Sequence, residues 1–519
     1  MSRLSHFLNR FRTYLKALSV ARAVCISFGL AILTGSLFLF FSESGKLSYV
    51  DSLYLSASAF CVTGLSPVPI SSLSFTGQLL LLSYVQMGGL GIIVFTVLIG
   101  ILVIKGLSRN TKLHDFLYEV LDSDLKAEIK KDNLLEQPRV FRILIAIFNI
   151  AFTIEIIGAI ILYFTLPEKL PAKVDSRVFL SLFTSISAFN NAGFSISDDL
   201  SFILHDHKSL AVIIFLIVAG GIGFPVIIFI EKVLLKTLNE ITSKFEVWCE
   251  TYLMRKAIKG EEPAAFYFYL TKLSLWTEYR IESYNKSLKG ESNRAQTSII
   301  LIGTIFLILL GFISFYWIEY NNPSTLANLD WKTKVMNSLL VSVSSRTAGF
   351  NTFDMSGIYD PTIIILCSLM FVGGGPQGTA GGIKITTFVI LVQYLRNVIN
   401  SQSKVMVFGQ LVSKNSVAMS IRLYFLSTTV LVLIIFILSI LHPNYNQIEK
   451  IIFEVISAFG TVGFSLDFTN KLTEIEKIIY AILMYCGRIG IFTVLVAITG
   501  NPVTSQLGET DDGLKIQVG

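Results

Sequence analysis

A ten-residue stretch that recurs four times constrains the fold of this chain more than any other feature. The copies span residues 56–65, 185–194, 341–350 and 455–464, and each is a short apolar segment followed by a turn. The ninth residue is glycine in all four: Gly64, Gly193, Gly349 and Gly463. Glycine adopts backbone conformations closed to other residues. The copies therefore predict either a ring of carbonyl oxygens or ordinary short helices that end on capping glycines. Their recurrence in matching contexts favours the ring.

The rest of the chain is too apolar for a soluble protein. Of its 519 residues 53% are hydrophobic and 15% are charged, and residues 52–104 contain no Asp, Glu, Lys or Arg. Soluble proteins of this length carry about 25% charged residues. The composition therefore predicts an all-α membrane protein with many spans. The five cysteines and five histidines show no metal-ligand spacing, so neither a structural metal nor a histidine-based catalytic site is predicted.

Long apolar runs flank each copy, at residues 23–41, 77–104, 143–164, 209–230, 295–318, 361–395, 423–441 and 478–499. The pattern predicts four helix–pore loop–helix repeats, which span residues 23–104, 143–230, 295–395 and 423–500. The segments outside them (1–22, 105–142, 231–294, 396–422 and 501–519) hold most of the Lys and Arg residues, so we place them and both termini in the cytoplasm. All four repeats then run parallel and are expected to close in a pseudo-fourfold arrangement around a central pore.

A second glycine-rich patch lies 24 to 32 residues beyond each repeated glycine, at residues 88–91, 220–223, 381–384 and 487–490. Small residues let membrane helices pack closely, which is the simplest interpretation. Lys384 and Arg488 each replace a glycine of the other patches, and a charge inside an apolar helix usually faces protein or a water-filled path. We predict that Arg488 borders the central path, whereas Lys384 either does so or extends to the cytoplasmic surface. Glu155, alone in its helix, is expected to have a structural partner.

Residues 373–382 contain too much glycine and proline for a regular helix. Irregular backbone at membrane depth is tolerated only against protein or a cavity. Because this stretch follows the third copy, the sequence predicts a movable plug. A phosphate-binding loop is excluded, since no Gly-Lys-Ser/Thr ending is present and no strand precedes it.

Over about residues 20–505 the chain resembles the Trk/Ktr/HKT superfamily of potassium transporters. The resemblance is carried by the four copies, by residues 380–387 (Ala-Gly-Gly-Ile-Lys-Ile-Thr-Thr) and by residues 487–490 (Gly-Arg-Ile-Gly). In addition, residues 461–464 (Thr-Val-Gly-Phe) nearly reproduce the potassium-channel filter. The resemblance to this superfamily implies potassium uptake through a single potassium site. The residues that would form the site are Val62, Thr63, Gly64, Asn191, Ala192, Gly193, Thr347, Ala348, Gly349, Thr461, Val462 and Gly463. The resemblance also implies a gating loop at residues 373–387, with gate residues Gly373, Gly374, Gly375, Gly378, Thr379, Gly381, Gly382, Lys384 and Arg488.

The short N-terminal segment makes the chain most similar to the ion-conducting membrane subunit of the Ktr type. The resemblance then implies a homodimer in the cell membrane, with potassium as the transported ion and no bound cofactor. It also implies a cytosolic ring of KtrA/TrkA-like regulatory subunits that binds nucleotides, and no nucleic acid partner. Gly64 argues for potassium, because sodium-conducting members often have serine there.

Two other classes of protein compete with this interpretation. A sodium- or proton-coupled secondary transporter usually needs carboxylates inside the membrane, and only Glu155 qualifies. A membrane enzyme needs a nucleophile–base pair or metal ligands at depth, and the apolar segments show neither.

Overall fold

The computed structural model describes residues 20–106, 138–171, 174–257, 291–402, 404–442, 447–499 and 516–518. Most of the predicted N-terminal segment and much of the connectors 105–142 and 231–294 lie outside the described residues. The same holds for most of the tail 501–519.

Helices build nearly all of the described structure. The repeats open with the long helices Val20–Ser42, Pro138–Thr165, Glu291–Glu319 and Lys414–Leu441. Each is followed by a short helix, namely Tyr49–Phe60, Arg177–Phe189, Trp331–Ser344 or Ile448–Gly460. The second helical segments are Phe75–Gly106, His207–Gly221 with Phe224–Ala257, Asp360–Phe371 with Ile385–Ile399, and Glu474–Ile489 with Ile491–Thr499. In the described residues, the only strands are Met406–Val407 and Gln410–Leu411, an antiparallel pair in the predicted connector 396–422.

The opening helices have the character of membrane spans. Among the described residues, four helices are long and apolar enough to cross a membrane, and up to six if each of two bent pairs counts as one span. Between 22% and 39% of the apolar window in the four helices is buried inside the protein. Most of their apolar surface therefore faces outward, as expected for helices in lipid.

The second helices of repeats 2, 3 and 4 are broken. The break in repeat 3 falls at the stretch predicted to be irregular, whereas the breaks in repeats 2 and 4 were not predicted. The predicted span 209–230 bends by 108° after Gly221, and the predicted span 478–499 bends by 97° after Ile489. The predicted span 361–395 is interrupted after Phe371. Gly223 and Gly490 have φ values of 89° and 92°, so these two breaks use a conformation that favours glycine.

In every repeat, the end of the first helix is bonded to the start of the second. The bonded pairs are Glu43–Ser74, Thr165–Ser209, Glu319–Thr362 and His442–Glu476, at 2.6, 3.0, 2.5 and 2.9 Å. Each repeat is therefore closed at the end where its short helix begins, and the short helix is held between the two long segments.

Candidate functional site

The four ten-residue copies share left-handed backbone at the same two positions. In each, the residue two positions before the glycine and the glycine itself are left-handed. The φ values are 57° and 94° (Val62, Gly64), 58° and 68° (Asn191, Gly193), 102° and 71° (Thr347, Gly349), and 50° and 97° (Thr461, Gly463). Left-handed backbone costs a non-glycine residue on the order of 1–3 kcal/mol and persists only where the surroundings impose it. The same strained turn is thus built in all four repeats.

The four glycines meet in a closed ring, which we call the glycine ring. A β-carbon on Gly64 would collide with the carbonyl oxygen of Ala192 in the next repeat. The same collision joins Gly193 to Ala348, Gly349 to Val462, and Gly463 to Thr63, which returns the ring to repeat 1. The residues predicted to form the ion site are therefore brought together, and only glycine fits at these places. Gly64, Gly193 and Gly463 are partly exposed although their neighbours are buried, so the ring borders an opening.

Serines in the short helices hold the turns from behind. Ser58 Oγ accepts from the Gly64 amide and Ser457 Oγ accepts from the Gly463 amide, each at 3.1 Å. Within the described residues, no backbone amide bonds to the carbonyl oxygens of Thr63, Ala192, Ala348 or Val462, so these oxygens remain available at the ring. Such a set of oxygens can replace the hydration shell of a cation.

The second glycine patch has a packing role. A β-carbon on Gly88 would collide with the carbonyl oxygen of Phe60, at the end of the short helix in its own repeat. The equivalent contacts in repeats 2 and 4 join Gly220 to Phe189 and Gly487 to Phe459. These glycines let the second helix lie directly on the backbone that leads into the turn.

The predicted gating stretch forms an irregular loop, which we call the glycine-rich loop (residues 372–384). It ends earlier than predicted, since residues 385–387 belong to the helix Ile385–Ile399. Its base is closed by hydrogen bonds from the Gly373 amide to the Ile383 carbonyl at 2.8 Å and from the Ile385 amide to the Gly374 carbonyl at 3.1 Å.

The glycine-rich loop fills the breaks in the helices of repeats 2 and 4. Its Gly375 amide donates to the Gly221 carbonyl at 3.0 Å, and its Gly382 amide donates to the Gly487 carbonyl at 3.3 Å. Carbonyl groups freed by a helix break need such partners at membrane depth. The breaks and the loop therefore depend on each other.

Three positively charged side chains also bond to the glycine-rich loop. The acceptors are the carbonyl groups of Gly373 for Arg346 (2.7 Å), Ala380 for Lys384 and Thr379 for Arg488. Arg488 donates in addition to the Gly88 carbonyl in repeat 1 at 2.6 Å. In the described structure neither arginine forms an ion pair. Arg488 thus ties repeats 1 and 4 to the loop, and the half-buried Lys384 folds back onto the loop.

Glu155 has the structural partners expected for it. Its carboxylate accepts from Gln86 Nε2 at 3.1 Å and from Asn190 Nδ2 at 2.9 Å. Arg346 and Glu454 were missed by sequence reasoning, although both are buried. Both could have been found in the sequence as charged residues inside apolar segments. Arg346 even lies within the third ten-residue copy.

Comparison with known proteins identifies the family. A model of the TrkH family, described as "Cation transport protein", matches residues 10–253 and 284–502. The chain belongs to this family. Its membership confirms the resemblance proposed from the sequence, and it confirms a transport protein as opposed to an enzyme.

Relatives and a solved structure agree with this family. The "Ktr system potassium uptake protein B" of Bacillus subtilis is 30% identical over 480 residues, which cover 91% of each chain. The "Potassium/sodium uptake protein NtpJ" of Enterococcus hirae is 30% identical over 494 residues, which cover 93% of each chain. The potassium transporter TrkH from Vibrio parahaemolyticus superimposes with a TM-score of 0.61 at 16% identity, over 92% of this chain and 84% of that one. The superposition confirms the all-helical membrane fold.

Proposed function

We propose that this protein takes up potassium across the plasma membrane through a channel-like pore whose selectivity filter is the glycine ring. The observation that carries the proposal is the contact of each ring glycine with a carbonyl group of the next repeat. The residues of the four turns named above would form one potassium site. The relatives support this choice of ion, since they are named as potassium or potassium/sodium uptake proteins.

The glycine-rich loop, together with Lys384 and Arg488, is proposed as the gate on the cytoplasmic side of the ring. It is irregular, and it is held to repeats 2 and 4 by hydrogen bonds that involve backbone groups, while Arg488 links it to the Gly88 carbonyl in repeat 1. Individual hydrogen bonds contribute about 0.5–1.5 kcal/mol net, so a few of them can hold a closed position that is still reversible.

We further infer a homodimer whose termini and connectors face the cytoplasm. There a KtrA/TrkA-like ring would bind nucleotides and control the gate. Support comes from the relative that is named as part of a Ktr system and from the basic connectors. Sodium- or proton-coupled transport is the less favoured mechanism, because Glu155 is bonded to Gln86 and Asn190.

Potassium uptake into cells that lack their own potassium transporters tests the function. The protein should restore growth at low external potassium, and uptake should persist when external sodium is replaced by choline. Correctly inserted protein that leaves potassium uptake at background would refute the function. Uptake that vanishes without sodium would instead support the coupled mechanism.

A further inference from the structure

Glu454 differs from the other buried glutamates in having an unbonded carboxylate oxygen. Five glutamates are buried in the described part of the chain: Glu43, Glu155, Glu319, Glu454 and Glu476. The other four use both oxygens in hydrogen bonds. Glu454 accepts from Thr469 Oγ1 through Oε1, whereas its Oε2 has no partner. The side chain is 0% exposed, so water outside the protein does not reach it.

Two tyrosine hydroxyls without partners lie within electrostatic range of this carboxylate. In the described part of the chain, the buried oxygens of Tyr54 and Tyr480 have no hydrogen-bond partner within 3.5 Å. Both interact electrostatically with Glu454, and Tyr54 also lies beside Thr469. Unpartnered buried polar groups are costly, so three of them within one small region call for an explanation.

The charged groups that act directly on the three oxygens are acids, although Asp467 is paired with Lys471 and Glu476 with His442. In the described structure no Lys or Arg bonds to Glu454. The nearby charged groups that act on Glu454 and Tyr480 are the acids Asp467 and Glu476. Asp467 stays ionised, because the hydrogen bond from Lys471 keeps the pKa of its carboxyl below the usual value. A buried carboxylate with acidic neighbours must be neutralised, either by a proton or by a positively charged partner.

We propose that Glu454, Tyr54, Tyr480 and Thr469 form a binding site for one small monovalent cation, of which sodium is the natural candidate. The donors are all oxygens, which suit a hard cation. One carboxylate balances a single positive charge, whereas a divalent ion would leave an excess charge in an apolar interior. A water molecule would fill the gap without neutralising Glu454.

The site lies behind the glycine ring where repeats 4 and 1 meet. Glu454 belongs to the short helix that leads to Gly463, and Tyr54 belongs to the short helix that leads to Gly64. The Gly463 turn touches the Thr63 carbonyl at the same junction. A cation there would hold the two short helices together without entering the proposed conduction path.

Thermal unfolding of the purified full-length protein in detergent tests the site. Potassium is kept saturating so that the glycine ring is occupied, and sodium chloride is titrated against choline chloride. We expect sodium to raise the melting temperature by about 2 °C or more. Glu454→Gln should lose this rise, and Tyr54→Phe and Tyr480→Phe should shift it to higher sodium concentrations.

Tyr84→Phe is the matched control, since Tyr84 is a buried tyrosine whose hydroxyl is bonded to the Gly35 carbonyl at 3.0 Å. It should retain the wild-type sodium response.

An equal sodium-dependent rise in the Glu454 and tyrosine variants would overturn the proposal. So would the absence of any rise in the wild type, which would mean that Glu454 carries a proton. The two tyrosine variants decide the question if Glu454→Gln does not fold. The separate stabilisation by potassium in sodium-free buffer reports on the glycine ring, so the two proposals fail independently.

Discussion

At the scale of single residues, the four turns share the ninth position and differ at the sixth. The ninth is always glycine, because each ring position touches a carbonyl group of the next repeat. The sixth residues are Cys61, Asn190, Arg346 and Gly460. Asn190 bonds to Glu155 and Arg346 bonds to the glycine-rich loop. The four turns of the ring therefore share the glycine, whereas the side chains that support each turn differ.

Gly64→Ser is expected to lower the preference for potassium over sodium by about tenfold, which corresponds to about 1.4 kcal/mol. A side chain there collides with the Ala192 carbonyl, so the oxygen must move away from its position in the ring. Reversal potentials in mixed potassium and sodium solutions measure the change. Gly45→Ser is the matched control, since Gly45 has a similar φ of 87° but open space around it. An unchanged selectivity in well-folded Gly64→Ser protein would remove Gly64 from the filter.

Arg488→Ala should increase the potassium flux per folded protein. The change removes a positive charge near the proposed path, and Coulomb's law at roughly 6 Å with an effective dielectric near 20 gives about 3 kcal/mol. That energy corresponds to at most about two orders of magnitude in rate. The change also removes the bond that holds the Thr379 carbonyl.

Arg488→Lys separates the two causes, because lysine keeps the charge but does not reproduce the forked geometry of arginine. Flux measured in reconstituted vesicles should stay near the wild-type value in Arg488→Lys if charge dominates. It should rise in both variants if the bond to the loop dominates. Lower flux in folded Arg488→Ala would show that the arginine supports an open pore.

At the scale of elements, the sequence predicts the opening helices and the irregular loop but not the helix breaks. Hydropathy is continuous across Gly221 and Gly490, so a local pattern shows one span where the structure has two helices. The reason for the breaks lies in repeat 3, whose loop bonds to Gly221 and Gly487. The loop itself was predictable because its glycine and proline content excludes a helix.

Deleting residues 376–379 from the glycine-rich loop should raise the transport rate and leave ion preference unchanged. The deleted segment provides the Gln377 carbonyl for the Phe224 amide and the Thr379 carbonyl for Arg488. Without these bonds the loop should spend less time in its closed position. Potassium flux and the potassium-to-sodium ratio are measured on the same vesicles. A folded deletion variant that conducts no faster would make the loop a packing element.

At the scale of the whole molecule, local sequence patterns do not predict contacts between distant parts of the chain. The glycine ring could be predicted because all four repeats carry the same signal. The position of residues 516–518 beside the glycine-rich loop could not be predicted, because no sequence feature distinguishes them from the other residues of the tail. Ile516 is buried in an apolar cluster with Ile299 and Ile390. Its neighbour Gln517 accepts from Gln377 Nε2 at 3.0 Å and, through its backbone carbonyl, from Thr386 Oγ1 at 2.7 Å.

Gln517→Ala should therefore raise the basal potassium flux, by up to about fivefold if the lost side-chain hydrogen bonds stabilise the closed loop by about 1 kcal/mol. The change removes the side-chain bonds from Gln377 and Gln296. Val518→Ala is the control for a change in the same segment. Both variants are compared in vesicles without any partner protein, so that only the chain's own contacts act on the loop.

If Gln517→Ala and Val518→Ala both behave as the wild type, the terminal residues anchor the tail without influencing the loop. A rise in the first variant alone would show that the end of the chain contributes to gating.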